Sequence, residues 1–134
     1  YEIGTIQQKP DDLSKKQLII EIKYDTPKWF SKMKGSTDFV PFQDQLVGVV
    51  HFSYDKSPRQ YFNQLIIINK KTMEIIECSN IFCFLRPSIE FCIGFTVMNN
   101  NSKFGFWISQ MDRDPLYLEA NSDHFHFSPL SSFC

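Results

Sequence analysis

Short apolar segments separated by turn-forming residues fill most of this chain, and they constrain its fold more than any other feature. The segments are rich in Val, Ile, Phe and Tyr and have the length of β-strands, and the one plausible helical turn lies at residues 27–33. Residues 43–45, 69–72 and 99–102 have the composition of turns between paired strands. The expected strands are 17–24, 39–42, 46–53, 61–69, 74–79, 89–98, 104–110, 116–120 and 125–127. The pattern therefore predicts an all-β sandwich, barrel or propeller.

The spacing of these segments favours antiparallel meander sheets that resemble propeller blades. Residues 39–79 contain four strands in meander order within a first unit at 34–79, and residues 89–127 form a second such unit. Four-stranded units of about 40 residues are typical of propeller blades, whereas a closed ring needs about four to eight blades. We therefore expect residues 1–134 to be a single β-rich domain or a piece of a larger propeller.

Charge and hydropathy exclude several classes of function. The formal net charge is −1, so the sequence lacks the basic excess of a nucleic-acid-binding protein. No apolar run approaches the roughly 18 residues that a membrane-spanning helix requires. The first residues are polar, and no signal peptide is visible. A cytoplasmic location is expected from this and from the cysteines.

The four cysteines, at positions 78, 83, 92 and 134, do not have the spacing of zinc ligands. Three of them lie in or beside apolar strands, where a free cysteine behaves as a small hydrophobic residue. Reduced thiols are favoured, and one disulfide is the alternative. His124 and His126 can share a strand face but lack an evident third ligand, so we expect no metal and no cofactor.

Four polar residues interrupt the apolar strands, and burial of such groups is costly unless they are paired or used. They are His51, Asn63, Glu90 and Asp112. Alternation places Glu90 on one strand face with small residues, which leaves space for a ligand; pairing with a buried arginine is the alternative. A structural role is the alternative for His51, and a turn cap is the alternative for Asp112.

These residue types suit carbohydrate chemistry. Hydrolysis of a glycoside uses one carboxyl group as a proton donor and another to activate the attacking group. Glu90 and Asp112 are the candidate carboxylates, with His51 as the third candidate catalytic residue. Tyr61 shares a predicted strand face with Asn63 and offers an aromatic surface for a sugar ring.

The order of several short motifs resembles the five-bladed β-propeller domains related to glycoside hydrolases and glycan phosphorylases, in the variety attached to glycosyltransferases. The likeness spans about residues 34–120 and includes Gly35-Ser36, Val40-Pro41-Phe42, Gly48-Val49-Val50-His51, Arg59-Gln60-Tyr61, Ser79 with Phe82 and Phe84, Ile89-Glu90-Phe91 with Gly94, and Asp112-Arg113. The resemblance implies that Ser36, His51, Tyr61, Glu90 and Asp112 face a central funnel that binds a glycan. Asn63 stands where the family has a histidine, which favours recognition over catalysis.

Three hypotheses follow. The chain is expected to be a carbohydrate-active segment of a glycosyltransferase-associated protein, in which Glu90, Asp112 and His51 are catalytic. Ser36, Tyr61, Asn63 and Arg113 are the expected substrate-binding residues. A non-catalytic glycan-binding module is the second hypothesis, and a structural or interaction protein within a larger assembly is the third. The expected partners are a glycan or sugar, further propeller blades, a glycosyltransferase domain or an assembly partner.

Overall fold

The computed structural model describes the backbone of residues 1–133 and the side chains of residues 1–132, and it confirms the predicted all-β class. Short 3-10 turns at Lys28–Lys32, Ser122–His124 and Leu130–Phe133 are the helical elements of the described residues. All paired strands are antiparallel. The strands are β1 (Glu2–Lys9), β2 (Asp12–Lys23), β3 (Met33–Gly35), β4 (Val40–Phe42), β5 (Gln45–Tyr54), β6 (Gln60–Ile68), β7 (Ile75–Ser79), β8 (Glu90–Met98), β9 (Lys103–Gln110), β10 (Asp114–Asn121) and β11 (Phe127–Pro129).

Residues 1–30 form a compact unit of their own, which is a long two-stranded hairpin of β1 and β2. Ile6 pairs with Leu18 across the hairpin, and register shifts occur at Ile3/Gly4 and Gln8/Lys9. The predicted strand at 17–24 covers part of β2, whereas β1 was not predicted. The sequence of β1 is mostly polar, and its residues are half-buried or exposed, so cross-strand backbone bonds rather than burial define this strand.

The second compact unit begins at Ser31 and contains two sheets. In the first sheet, β4, β5, β6 and β7 pair consecutively, as the predicted meander requires. β3 pairs with the same edge of β5 as β4 does, further along the strand. The first sheet therefore has the order β11-β7-β6-β5-β3, with β4 also on β5.

The second sheet has three strands, in the order β10-β9-β8. The structure differs here from the predicted four-stranded unit at 89–127. The 3-10 turn at Ser122–His124 follows β10, and β11 then pairs with β7 of the first sheet, where Phe127 lies opposite Ser79. The chain thus passes from the second sheet, at β10, back to the first sheet, at β11. The propeller interpretation stays a prediction.

The core lies between the two sheets and explains the high content of phenylalanine. Val47, Val49, Leu65 and Ile67 from the first sheet belong to one buried cluster with residues of β8 and β9. Phe104 and Phe106 are its largest fully buried members, and ring contacts join them to Phe95 at 5.3 and 5.2 Å between centroids. On β8, the register shift between Cys92 and Gly94 places both Cys92 and Phe95 in this core, although simple alternation separates them.

Candidate functional site

The apolar layer between the sheets becomes polar at one end of β5 and β6. Along this pair of strands Val49 lies opposite Leu65, then His51 opposite Asn63, and then Ser53 opposite Tyr61. Side chains two residues apart on a strand point to the same face, so His51, Asn63 and Tyr61 continue the face that carries the core. The predicted shared face of Tyr61 and Asn63 is therefore present.

His51 is the centre of this polar end. Its side chain is buried, its Nδ1 lies 2.8 Å from the Ser36 hydroxyl oxygen, and Ser36 is itself held to β5 by its N–H, which donates to the Val49 carbonyl at 3.2 Å. Burial lowers the pKa of His51, and the positive charge of Lys34, its neighbour across β3 and β5, lowers it further. The imidazole is consequently neutral near pH 7, with one nitrogen that donates and one that accepts.

Two aromatic rings enclose the His51 imidazole. The Tyr61 ring centroid lies 5.4 Å away at an interplanar angle of 32°, and the Phe91 ring meets the imidazole edge-on at 5.1 Å. Tyr61 and Phe91 are themselves 6.5 Å apart. Ser36, His51, Tyr61 and Phe91 together are called the histidine cluster below. Phe91 was not among the predicted site residues, because alternation showed it only as an apolar residue of β8.

Charged residues lie beside the histidine cluster. The Arg59 guanidinium lies 5.7 Å from the Tyr61 ring centroid and also donates to the Asp55 carboxylate at 3.0 Å. The hydrogen bond to Asp55 does most to raise the pKa of Arg59, and the negative charge of Asp112 acts in the same direction. Asp112 is thus close enough to Arg59 to act on its charge. It is exposed in the turn between β9 and β10, where its φ of 56° is left-handed.

Arg113 forms an ion pair with Asp114. Its Nε and Nη2 donate to the two carboxylate oxygens of Asp114 at 3.1 and 3.0 Å, and its side chain is 80% exposed. The structure therefore gives Arg113 a surface ion pair with its neighbour in sequence. Its predicted role in substrate binding stays a prediction.

Glu90, the predicted acid/base, is fully buried at the start of β8. Its Oε2 accepts the Phe84 N–H at 2.9 Å, while its Oε1 accepts the N–H groups of Leu85 and Arg86, each at 3.1 Å. The space expected beside the carboxylate is filled by this backbone. Among the described residues the carboxylate is satisfied by the loop rather than by an arginine guanidinium. Glu90 thus anchors the connection between β7 and β8, and a catalytic role for it stays a prediction.

Asn63 is also fully buried, and neither its Oδ1 nor its Nδ2 has a hydrogen-bond partner among the described residues. Its backbone is well paired, because its N–H and carbonyl both bond to Phe82, at 2.8 and 2.9 Å. The hydroxyl of Ser88 is likewise buried without a partner. Unpaired buried amides cost stability, so Asn63 is an energetic weak point of the first sheet.

The cysteines behave as the apolar pattern predicted where the structure describes them. Cys78 and Cys92 are buried free thiols, and burial raises the pKa of each to about 12. Cys83 is a half-buried free thiol, and Cys134 lies outside the described residues. Within residues 1–133, no three His, Cys, Asp or Glu side chains are grouped as metal ligands, and no helix is long and apolar enough to cross a membrane.

The structure therefore brings together Ser36, His51 and Tyr61, with Asn63 opposite His51 on β6. Asp112 is related to this region only through its charge interaction with Arg59. Arg59 and Phe91 belong to the same region but were not predicted as site residues. Arg59 lies two residues before Tyr61, and this spacing could have indicated that the two side chains lie near each other. Comparison with known proteins adds no relative: no protein-family model matches the chain, and neither a curated protein nor a solved structure matches it.

Proposed function

We propose that this chain is a carbohydrate-binding segment and that the histidine cluster is its sugar-contacting surface. The observation that carries the proposal is the 2.8 Å contact between Ser36 and the imidazole of His51, in a site that Tyr61 and Phe91 enclose. A neutral imidazole fixed through Nδ1 offers Nε2 to a sugar hydroxyl. The Tyr61 ring offers an apolar surface to the C–H face of a pyranose.

The charges next to the cluster fit the same ligand. Arg59 is exposed and can donate hydrogen bonds to a ligand, and the exposed carboxylate of Asp112 can accept hydrogen bonds from one. Neutral sugars are recognised by such mixed donors and acceptors placed beside an aromatic ring. The motif order described above supports a place for this segment in a glycosyltransferase-associated protein, with further propeller blades as partners.

Binding is favoured over turnover, because both carboxylate oxygens of Glu90 are already hydrogen-bonded. Each of its carboxylate oxygens already accepts backbone N–H groups, and the side chain is fully buried. A general acid must reach the leaving oxygen of its substrate within hydrogen-bond distance. Recognition without catalysis is therefore the form of the proposal that the geometry supports best.

Glycan-array binding tests the proposal. The wild-type chain should retain a defined set of glycans, and Ser36→Ala, which removes the hydrogen bond to His51, should weaken retention about tenfold or more. His126→Ala is the matched control, because that histidine side chain is exposed outside the cluster and should leave retention unchanged. Retention of no glycan by the wild type, or equal retention by Ser36→Ala, contradicts the proposal.

Turnover is measured in parallel with nitrophenyl glycosides, with and without inorganic phosphate. The proposal expects no release of nitrophenol above the uncatalysed rate. Release that is lost in Glu90→Gln, while the variant remains folded, would instead support the catalytic hypothesis and overturn recognition as the sole function.

A second candidate function is protein interaction, and the outer face of the second sheet favours it. Trp107 and Tyr117 are each 44% exposed there, with ring centroids 4.7 Å apart. Aromatic residues of this kind are enriched in protein interfaces. Light scattering of the purified chain should then show association between copies of the chain. Trp107→Ser should weaken this association and leave glycan retention unchanged.

A further inference from the structure

A cavity of about 330 Å³ lies in the second compact unit, and its lining contains none of the residues that the sequence assigned to a site. It opens between β10 and the connection from β7 to β8, which includes residues 80–89. Its apolar lining consists mainly of Phe82, Phe84, Phe106, Leu118 and Phe125. Ligand pockets in proteins begin at about 300 Å³ and are lined in this way.

The phenylalanine rings line the cavity in a fixed arrangement. Phe82 and Phe84 are perpendicular at 5.3 Å, Phe82 and Phe125 meet at 5.1 Å, and Phe84 meets Phe106 at 5.1 Å. Phe82, Phe84 and Phe125 are only half-buried. Edge-to-face pairs present both ring faces and ring edges, so a further ring placed among them gains the same type of contact.

Four of the lining residues are polar: Asn80, Cys83, Glu119 and His124. The Cys83 thiol lies 3.9 Å from the Tyr61 carbonyl oxygen. The Glu119 carboxylate already accepts from Lys103 and from the Tyr117 hydroxyl, each at 3.1 Å. A ligand in the cavity therefore meets phenylalanine rings together with a minority of polar residues.

We propose that this cavity is a binding site for a compact aromatic molecule with one polar group, of about the size of indole. A cavity of about 150 Å³ lined by apolar residues is enough for benzene, so about twice that volume suits a two-ring system. The proposal does not depend on the carbohydrate-binding function, because none of the histidine cluster residues lines the cavity.

The loop that lines the cavity is held rigidly, which favours a preformed site. Glu90 accepts N–H groups from residues 84–86, Phe82 exchanges two backbone hydrogen bonds with Asn63, and the Ser88 carbonyl accepts from Tyr61 at 2.9 Å. A preformed cavity requires little ordering when the ligand enters. Binding should therefore shift resonances near the loop without a general change of the spectrum.

The first test is an NMR titration of the ¹⁵N-labelled chain with indole, with n-hexanol as the comparison. Saturable shifts are expected at the amides of Phe82, Cys83, Phe84 and Ala120, and hexanol should bind more weakly. Shifts that do not saturate, that centre on Trp107 and Tyr117, or that are equal for hexanol overturn the proposal.

Ala120→Phe tests the location, because Ala120 lines the cavity and a phenyl ring there fills part of it. The apparent affinity for indole should fall about tenfold or more. Asn121→Phe is the matched control: the neighbouring side chain points to the other face of β10, lies exposed, and should leave the affinity within about twofold. An unchanged affinity in Ala120→Phe contradicts the proposal.

Alkylation of Cys83 in the wild-type chain provides a second measurement that needs no variant. Cys83 is half-buried in the lining, whereas Cys78 and Cys92 are fully buried and report any unfolding. At an indole concentration about ten times the dissociation constant, the modification rate of Cys83 should fall about tenfold. A rate that indole does not change overturns the proposal even if Ala120→Phe fails to fold.

Discussion

Replacement of Glu90 by glutamine separates the role of a loop anchor from that of a catalytic carboxyl group. The buried carboxylate accepts three backbone N–H groups, from residues 84, 85 and 86, at 2.9 to 3.1 Å. Glutamine keeps one acceptor oxygen but presents an NH₂ group in place of the other. One N–H of the loop then faces a donor instead of an acceptor.

The expected loss can be worked out from these contacts. Hydrogen bonds to a charged group contribute about 1.5–3 kcal/mol each, and an unpaired buried donor costs about 1–3 kcal/mol. If the amide oxygen keeps the two bonds to Leu85 and Arg86, one charged bond is lost and two are weakened. Glu90→Gln should therefore lower the free energy of unfolding by about 3 kcal/mol.

Urea unfolding followed by circular dichroism measures this loss. Glu119→Gln is the matched control, since Glu119 is exposed and its ion pair with Lys103 should contribute at most about 1 kcal/mol. An unfolding free energy for Glu90→Gln within about 0.5 kcal/mol of wild type would refute the anchor role. A stabilised variant would point instead to a carboxylate kept for function at the expense of stability.

Three further perturbations test other parts of the structure. Asn63→Leu removes an unpaired buried amide and should raise the free energy of unfolding by about 1 kcal/mol. A lower free energy of unfolding, measured by urea denaturation, would contradict this expectation. Burial holds the pKa of His51 below 6.5, so the unfolded chain takes up its proton first and stability falls as the pH drops below about 7. His51→Gln should remove this contribution to the pH dependence of the free energy of unfolding, which is at most about 1.4 kcal/mol per pH unit. Urea unfolding between about pH 5 and 8 measures it, and a pH dependence equal to that of wild type would contradict the expectation. Gly48→Ala places a Cβ 2.9 Å from the Phe39 ring and should lower the free energy of unfolding, measured by thermal denaturation, by about 1–3 kcal/mol. Gly35→Ala is the control, because a Cβ at Gly35 meets nothing within 4 Å and should leave the free energy of unfolding unchanged.

Strand periodicity was sufficient for most of the fold. The expected strands at 46–53 and 104–110 coincide with the interior of β5 and β9, because both have a continuous apolar face that packs in the core. β1 could not be predicted in this way. Its residues are half-buried or exposed, so its sequence does not alternate between apolar and polar residues. The pairing of β11 with β7 depends on the turn at 122–124, which local patterns do not specify.

The candidate site was predictable in part for the same physical reason. His51 and Asn63 interrupt apolar strands, and the structure buries both opposite each other on β5 and β6. The partners of Glu90 were not predictable, because they are backbone N–H groups of a loop that folds back onto β8. The same limit applies to the cavity, whose lining comes from segments far apart in sequence.

Binding of a carbohydrate at the histidine cluster can be observed residue by residue in an NMR titration with the glycan best retained on the array. If the cluster binds the glycan, saturable shifts are expected at Ser36, His51 and Tyr61, and they should be lost in Ser36→Ala. Shifts confined to Trp107 and Tyr117, or to the cavity lined by Phe82 and Phe84, would contradict it, as would the absence of any retained glycan.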